Sequence, residues 1–236
     1  MRGLYLGLAL AGIMSIGQPA ASAETVAACT PARTPLDKLI CAHPDLRETD
    51  GGIADRVEQL RRRYQGEDRR VFNVEYKRWR YELNYCALPA GDPWNKRGAY
   101  GCVRDDFDAR LRLLADLGSG HKDIQEVAAS YGLVEPWYVN ELPKLYEGRA
   151  VDVDGYIYLR GCYGPGMPRS GLIRHPPLRV VPRPSPYITK EESIEMRFDR
   201  IKDYVKGRIC DKKTANLTGT VMLDHGRPYI YVPELF

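Results

Sequence analysis

The sequence predicts an α+β chain: an N-terminal helical hairpin or bundle braced by disulfides, then a small β-barrel. Three observations predict it. Between Ile53 and Leu117 apolar residues recur every three to four positions, the spacing of a buried helix face. After Pro136 they alternate instead, as on a strand with one covered side. Six cysteines follow an export-type leader, and disulfides persist in exported chains.

The leader is expected to be a secretory signal peptide over residues 1–23. Arg2 opens it, Leu4 to Ile16 is apolar but for glycines and one serine, and Ala21-Ser22-Ala23 offers small residues for cleavage. The apolar run is too short to span a bilayer, and no later one is longer. Val26-Ala27-Ala28-Cys29 loosely fits a lipidation motif, but Gln18, Pro19 and Glu24 separate it from the apolar run. The expected location is therefore periplasmic or secreted, with no stable membrane span after cleavage.

All six cysteines, Cys29, Cys41, Cys86, Cys102, Cys162 and Cys210, lie beyond the leader. An even number in an oxidising compartment predicts three bridges. No Cys-x-x-Cys or Cys/His cluster suggests a metal. The first four cysteines fall in the helical half, where three pairings remain open; Cys162 and Cys210 are left to pair in the β half.

The chain has 35 basic and 31 acidic residues, and losing the leader with its one arginine leaves a net charge of +3. Such balance argues against a nucleic-acid partner held by phosphate neutralisation.

The elements follow in order. Thr34 to Leu46 reads as a brief helical turn stopping at Cys41, before His43-Pro44. Three helical stripes come next: Ile53, Val57, Leu60, Tyr64; then Phe72, Tyr76, Trp79, Leu83, Cys86; then Val103, Phe107, Leu111, Leu114. The break at Gln65 to Asp68 predicts an antiparallel hairpin with the third helix packed across it. These elements form a helical domain over residues 24–120. A weaker helix, His121 to Tyr131, ends at Gly132 and falls in a helical linker, residues 121–137.

Residues 138–236 are expected to form the β domain. Arg149 to Arg160 alternates through Val151 and Val153, then Tyr156 and Tyr158; Gly155 breaks the alternation and predicts a bulge or a sharp bend. Leu178 to Val181 reads as a short strand. Thr189 to Glu192 is a capping box opening a helix with the stripe Ile194, Phe198, Ile201, Val205. Leu217 to Leu223 and Tyr229 to Val232 flank the hairpin turn Asp224-His225-Gly226-Arg227. Strands, helix, then hairpin is the order of a small OB-like barrel, and an SH3-like or other small β-fold would give much the same pattern.

Candidate chemistry is sparse. His43, His121, His175 and His225 are scattered, whereas a zinc site needs three or four convergent ligands. No catalytic pair is evident: Cys162 with His175 lacks a positioning third group. No cofactor is expected. Arg61-Arg62-Arg63, with Arg69-Arg70 and Lys77-Arg78, is a possible docking patch for an anionic envelope polymer. Interspersed Glu58, Glu67, Asp68, Glu75 and Glu82 favour a solvated helix face instead. Trp79 belongs to the core. Trp94 and Tyr100, on a Gly/Pro-rich loop, are the candidate binding anchors. Tyr156, Tyr158, Tyr163, Tyr187, Tyr229 and Tyr231 suit either sugar or base stacking or a small core and its rim, with the second favoured.

The N-terminal half resembles the LprI-like family of bacterial envelope proteins, named for a lysozyme-inhibiting lipoprotein. The pattern is carried by Cys29, Thr34-Pro35, Asp37-Lys38, Ile40-Cys41, Leu46, Asp50, Tyr64, Trp79 and Cys86, with Cys102 as the fourth cysteine of many members. It covers residues 29–117. Two positions depart from it: Leu83-Asn84 replaces an Arg-Asp pair, and Glu75 to Arg78 lacks the usual glutamine. The resemblance implies a non-catalytic envelope binding protein that inhibits a lysozyme-type muramidase by inserting a loop such as Pro93 to Tyr100. An acidic surface would suit such a cationic target, yet residues 24–120 hold 17 basic and 16 acidic groups. The alternative is an adaptor whose β domain binds a glycan, peptide or protein.

Overall fold

The computed structural model describes residues 29, 32, 34–87, 98–131, 134–159, 169–174, 193–201 and 213–235. The leader, Trp94, Cys162, Tyr163, His175, the strand expected at Leu178–Val181, Tyr187 and Cys210 lie outside the described residues, as do the side chains of Tyr156 and Tyr158. The chain is α+β. It runs through α1 (Pro35–Ala42), α2 (Pro44–Arg63), α3 (Gly66–Glu82), a 3-10 turn (Leu83–Ala87), α4 (Gly98–Ser119), α5 (Ile124–Ala129), α6 (Pro136–Glu141) and α7 (Pro143–Tyr146). Then come β1 (Ala150–Leu159), β2 (Ser170–Arg174), β3 (Ser193–Ile201), β4 (Lys213–Asp224) and β5 (Arg227–Leu235).

Local chemistry sets the helix ends. Thr34 caps α1: its hydroxyl accepts from the Asp37 amide at 3.0 Å, and the Asp37 carboxylate accepts from the Thr34 amide at 3.1 Å. The pair supplies acceptors for helix-end amides that no earlier turn can bond. Pro44 forces His43 out of helical geometry, so α1 stops and α2 begins there.

Side-chain bonds reveal how the three long helices align. Tyr100 bonds Asp45, Arg56 bonds the Leu111 carbonyl and Arg63 bonds the Gly118 carbonyl, every pair 55 residues apart. A constant offset means that α2 and α4 run parallel. Along α3 the partners run the other way: Arg80 meets Asp50 and Asn73 meets Arg61 on α2, while Trp79 meets Asp106 and Glu75 meets Arg110 on α4. The bundle is therefore up-down-up around Ile53, Val57, Leu60, Phe72, Val103, Phe107 and Leu114. All three expected helices are present.

Two disulfides brace this bundle: Cys29–Cys41 and Cys86–Cys102. Of the pairings open from sequence, each cysteine takes its nearest neighbour along the chain. The bond to Cys41 occupies the Cys29 sulfur, leaving no thiol there for a lipid.

The sheet pairs β1 with β2, β2 with β3, β3 with β5, β5 with β4, and β4 back to β1; only β3–β5 is parallel. Each strand thus has two neighbours. Val151, Val153, Ile157, Ile173, Ile194, Met196, Phe198, Leu217, Val221, Ile230 and Val232 fill the inside. Gly219 is the tight point: an added Cβ would stand 2.4 Å from Ile230 Cγ2 and 2.9 Å from the Tyr231 carbonyl oxygen. His225 (φ 50°) and Gly226 (φ 77°) turn the β4–β5 hairpin, with the two positive φ values a twist-matched two-residue loop requires.

Two expectations fail. The helix expected through Ile194 to Val205 is a strand over Ser193–Ile201; Thr189 to Glu192 and Val205 lie outside the described residues. Ile194 and Phe198 fit a period of four and equally a period of two. Met196 between them is fully buried, while Asp199 is exposed, so the period is two. The bulge at Gly155 is also absent, because the β1–β4 register is unbroken from Ala150 to Ile157. Val151, Val153, Gly155 and Ile157 all face inward. The glycine keeps the inner phase.

The segment expected as a linker is packed. α5 lies on α3, α6 touches α3, β3 and β5, and α7 touches α5 and β4. Tyr138 and Tyr146 are fully buried there. Pro136 and Pro143 open these two short helices, which the sequence reading missed.

Candidate functional site

The residues proposed from sequence as a basic patch are engaged within the fold. Arg61 donates to Asn73 Oδ1 at 2.9 Å and lies over Tyr76, Arg62 pairs with Glu58, and Arg63 donates to the Gly118 carbonyl. Tyr100, the described end of the expected binding loop, donates to Asp45 Oδ2 at 2.5 Å and packs on His43 at 4.7 Å. The hydrogen bond pulls the Asp45 carboxyl below its ordinary range and raises the Tyr100 hydroxyl. Half-exposed Tyr100 thus shares one surface with His43, Asp45 and Arg104, beside Cys102.

The residues carrying the family resemblance are largely structural. Ile40 and Leu46 are core, Asp50 is fully buried against Arg80 at 2.6 Å, Tyr64 packs on Phe72, and Trp79 donates to Asp106. Thr34 and Asp37 cap α1. These residues serve the fold of the bundle.

The described tyrosines of β5 correct the favoured sequence reading. Ile230 and Val232 face the core, so Tyr229 and Tyr231, one position out of phase, stand on the outer face. Arg197 lies over the Tyr229 ring at 4.1 Å and is held by Glu195 at 3.0 Å and Asp224 at 2.6 Å. That guanidinium holds the Asp224 carboxyl below its usual range. Tyr231 donates to Asp199 at 2.6 Å, which raises its hydroxyl. Across the ladder Met222, 39% exposed, faces Tyr229, and Thr220 faces Tyr231. Thr218 donates to Asp152 on β1. The described charged side chains around these tyrosines include Asp152, Glu195, Asp199 and Asp224, with Arg197 and Arg227.

A second constellation is buried between the bundle and α6, where the sequence reading expected a solvated helix face. Glu75 is fully buried and Arg78 is 5% exposed. Glu75 accepts from both Arg110 Nη atoms at 2.7 Å and from the Tyr131 hydroxyl at 3.0 Å. Arg78 reaches Glu82 at 2.9 Å and Glu135 at 3.2 Å through Nε, with the rings of Tyr131 at 3.7 Å and Tyr138 at 4.9 Å. Burial, reinforced by Glu135 and opposed by Arg78, pushes the Glu82 carboxyl up to about 7. Burial also raises Asp106 against the pull of its bond from Trp79. One signal was available: Glu75, Arg78 and Glu82 repeat at spacings of three and four alongside Trp79, the period of a buried face.

Among the described residues no group of three or more His, Cys, Asp or Glu is placed to hold a metal ion. No described helix is long and apolar enough to cross a membrane. Comparison with protein-family models, curated proteins and solved structures returned no match.

Proposed function

We propose that the chain is an exported, non-catalytic binding protein of the bacterial envelope, and that it docks a cationic protein on the outer face of β3, β5 and β4. The carrying observation is Tyr229 and Tyr231 set among Asp152, Glu195, Asp199 and Asp224. Tyrosine rings give contact area at little cost in side-chain entropy. Surrounding carboxylates steer and orient a positive partner, and the same charge disfavours a polyanion. The resemblance of residues 29–117 points to a lysozyme-type muramidase as that partner. The strand order β1-β2-β3-β5-β4 supports reading the sheet as an OB-like module.

Titrating the pure, oxidised protein into a muramidase assay tests this. Slowing at near-stoichiometric ratios is expected, weaker at high salt and lost in Tyr229→Ala/Asp199→Asn. An undiminished rate at large molar excess sinks the inhibitor reading. A second reading, an envelope glycan, is favoured by Tyr231 beside the Asp199 carboxylate and the Thr220 hydroxyl, a ring with hydrogen-bonding groups around it. Cell-wall oligosaccharide that shifts the Tyr231 ring signals, with no effect on muramidase, would favour it.

A further inference from the structure

We propose that the buried ionic junction is a pH-gated clamp that sets how tightly α6, and the β3–β5 side of the sheet with it, is held on the helical bundle. Its consequence for partner binding rests on the reading above; the clamp itself rests on geometry. Glu135 is the residue before α6 and is anchored by Arg78 of α3. Farther along α6, Trp137 packs on Lys77 at 5.0 Å and on Tyr81 at 6.4 Å. Asn140 donates to the Ser193 carbonyl at 3.0 Å, where β3 begins. One short helix therefore connects Arg78 to a strand that carries the acidic, tyrosine-bearing face.

Charge at the junction is unbalanced. Glu82 faces Arg78 and Glu75 on α3, Asp106 on α4 and Glu135 ahead of α6. Tyr131, Tyr138 of α6 and Tyr146 of α7 complete the surroundings, and burial keeps all three neutral. Arg110 is committed to Glu75 by two bonds. Arg78 Nε then stands within ion-pair distance of both Glu82 and Glu135, at 2.9 Å and 3.2 Å. Two carboxylates sharing one cation in a partly buried site resist joint ionisation. Protonated Glu82 leaves Arg78 to Glu135 and the clamp is closed. Ionised Glu82 repels Glu135 and competes for the guanidinium, loosening α6. The Glu82 side chain is 36% exposed, so protons reach it from solvent.

The folded-state value of about 7 lies above the ordinary 4.5. Between those values the folded chain binds more protons than the unfolded one. Stability is therefore greatest below the window and is lost as pH rises through it.

The test needs no partner. The indole N–H resonance of Trp137 and the intrinsic-rate-corrected amide exchange of Val139 and Asn140 are followed from about pH 5.5 to about pH 8.5. The wild type should show one transition near 7, with faster α6 exchange above it. Glu82→Gln should abolish the transition and hold α6 protected throughout. Glu135→Gln should lower the midpoint, because Arg78 then serves Glu82 alone. A transition that persists in Glu82→Gln, a midpoint unmoved by Glu135→Gln, or a flat wild-type profile overturns the clamp, whatever the muramidase assay shows.

Discussion

Glu75 and Arg110 are the residues on which the bundle is least forgiving. Both are buried, and the two Nη atoms of Arg110 donate to the two carboxylate oxygens of Glu75. Removing one partner strands a charge in a poorly polarisable interior, which costs about 3–5 kcal/mol. Arg110→Met alone should therefore lower the urea midpoint sharply. Glu75→Met/Arg110→Met should recover most of the loss, because desolvating the pair offsets much of its attraction. A double variant as damaged as the single one would show that shape, not charge, sets the cost. From sequence these residues blended into a charged helix surface. Which face of α3 is covered depends on α4 and on Tyr131, which come later in the chain.

At the scale of elements, β3 is the instructive case. Ile194 and Phe198 fit helix and strand alike, and only Met196 separates the two. In a helix with that stripe Met196 would point away from the core, and truncating it would cost little. In β3 it is fully buried, so Met196→Ala should cost about 2–5 kcal/mol in chemical denaturation. A cost below about 0.5 kcal/mol would restore the helix. Local chemistry within one segment says nothing of strand partners. β3 exists through its ladders to β2 and β5. The β4–β5 hairpin was legible for the opposite reason: its partners are adjacent in sequence, and His225-Gly226 meets the turn's demand locally.

Across the whole molecule, the disulfides brace the bundle and the packed α5–α7 segment joins it to the sheet. Cys86–Cys102 spans 16 residues, and a loop of that size restricts the unfolded chain by about 3 kcal/mol. Cys86→Ala/Cys102→Ala should lower unfolding free energy by that order, measured against the oxidised parent. Peptide mapping should return Cys29–Cys41 and Cys86–Cys102 as separate bridges. A Cys41–Cys86 peptide would overturn this pairing. The linker expected at residues 121–137 is instead part of a continuous core with Tyr138 and Tyr146. The relation between bundle and sheet is thus set by packing and by the Arg78–Glu135 contact.

By itself the sequence determined the α+β class, three long helices, the hairpin and the pairing potential of the cysteines. Those features follow from periodicity, turn chemistry and compartment, which act over a few residues or over composition. Tertiary structure alone decided which cysteines join, that Ser193–Ile201 is a strand, that the β5 tyrosines look outward, and that Glu75 and Arg78 are buried. Each of these depends on groups distant in sequence meeting in space, where burial and pairing energies outweigh local preference.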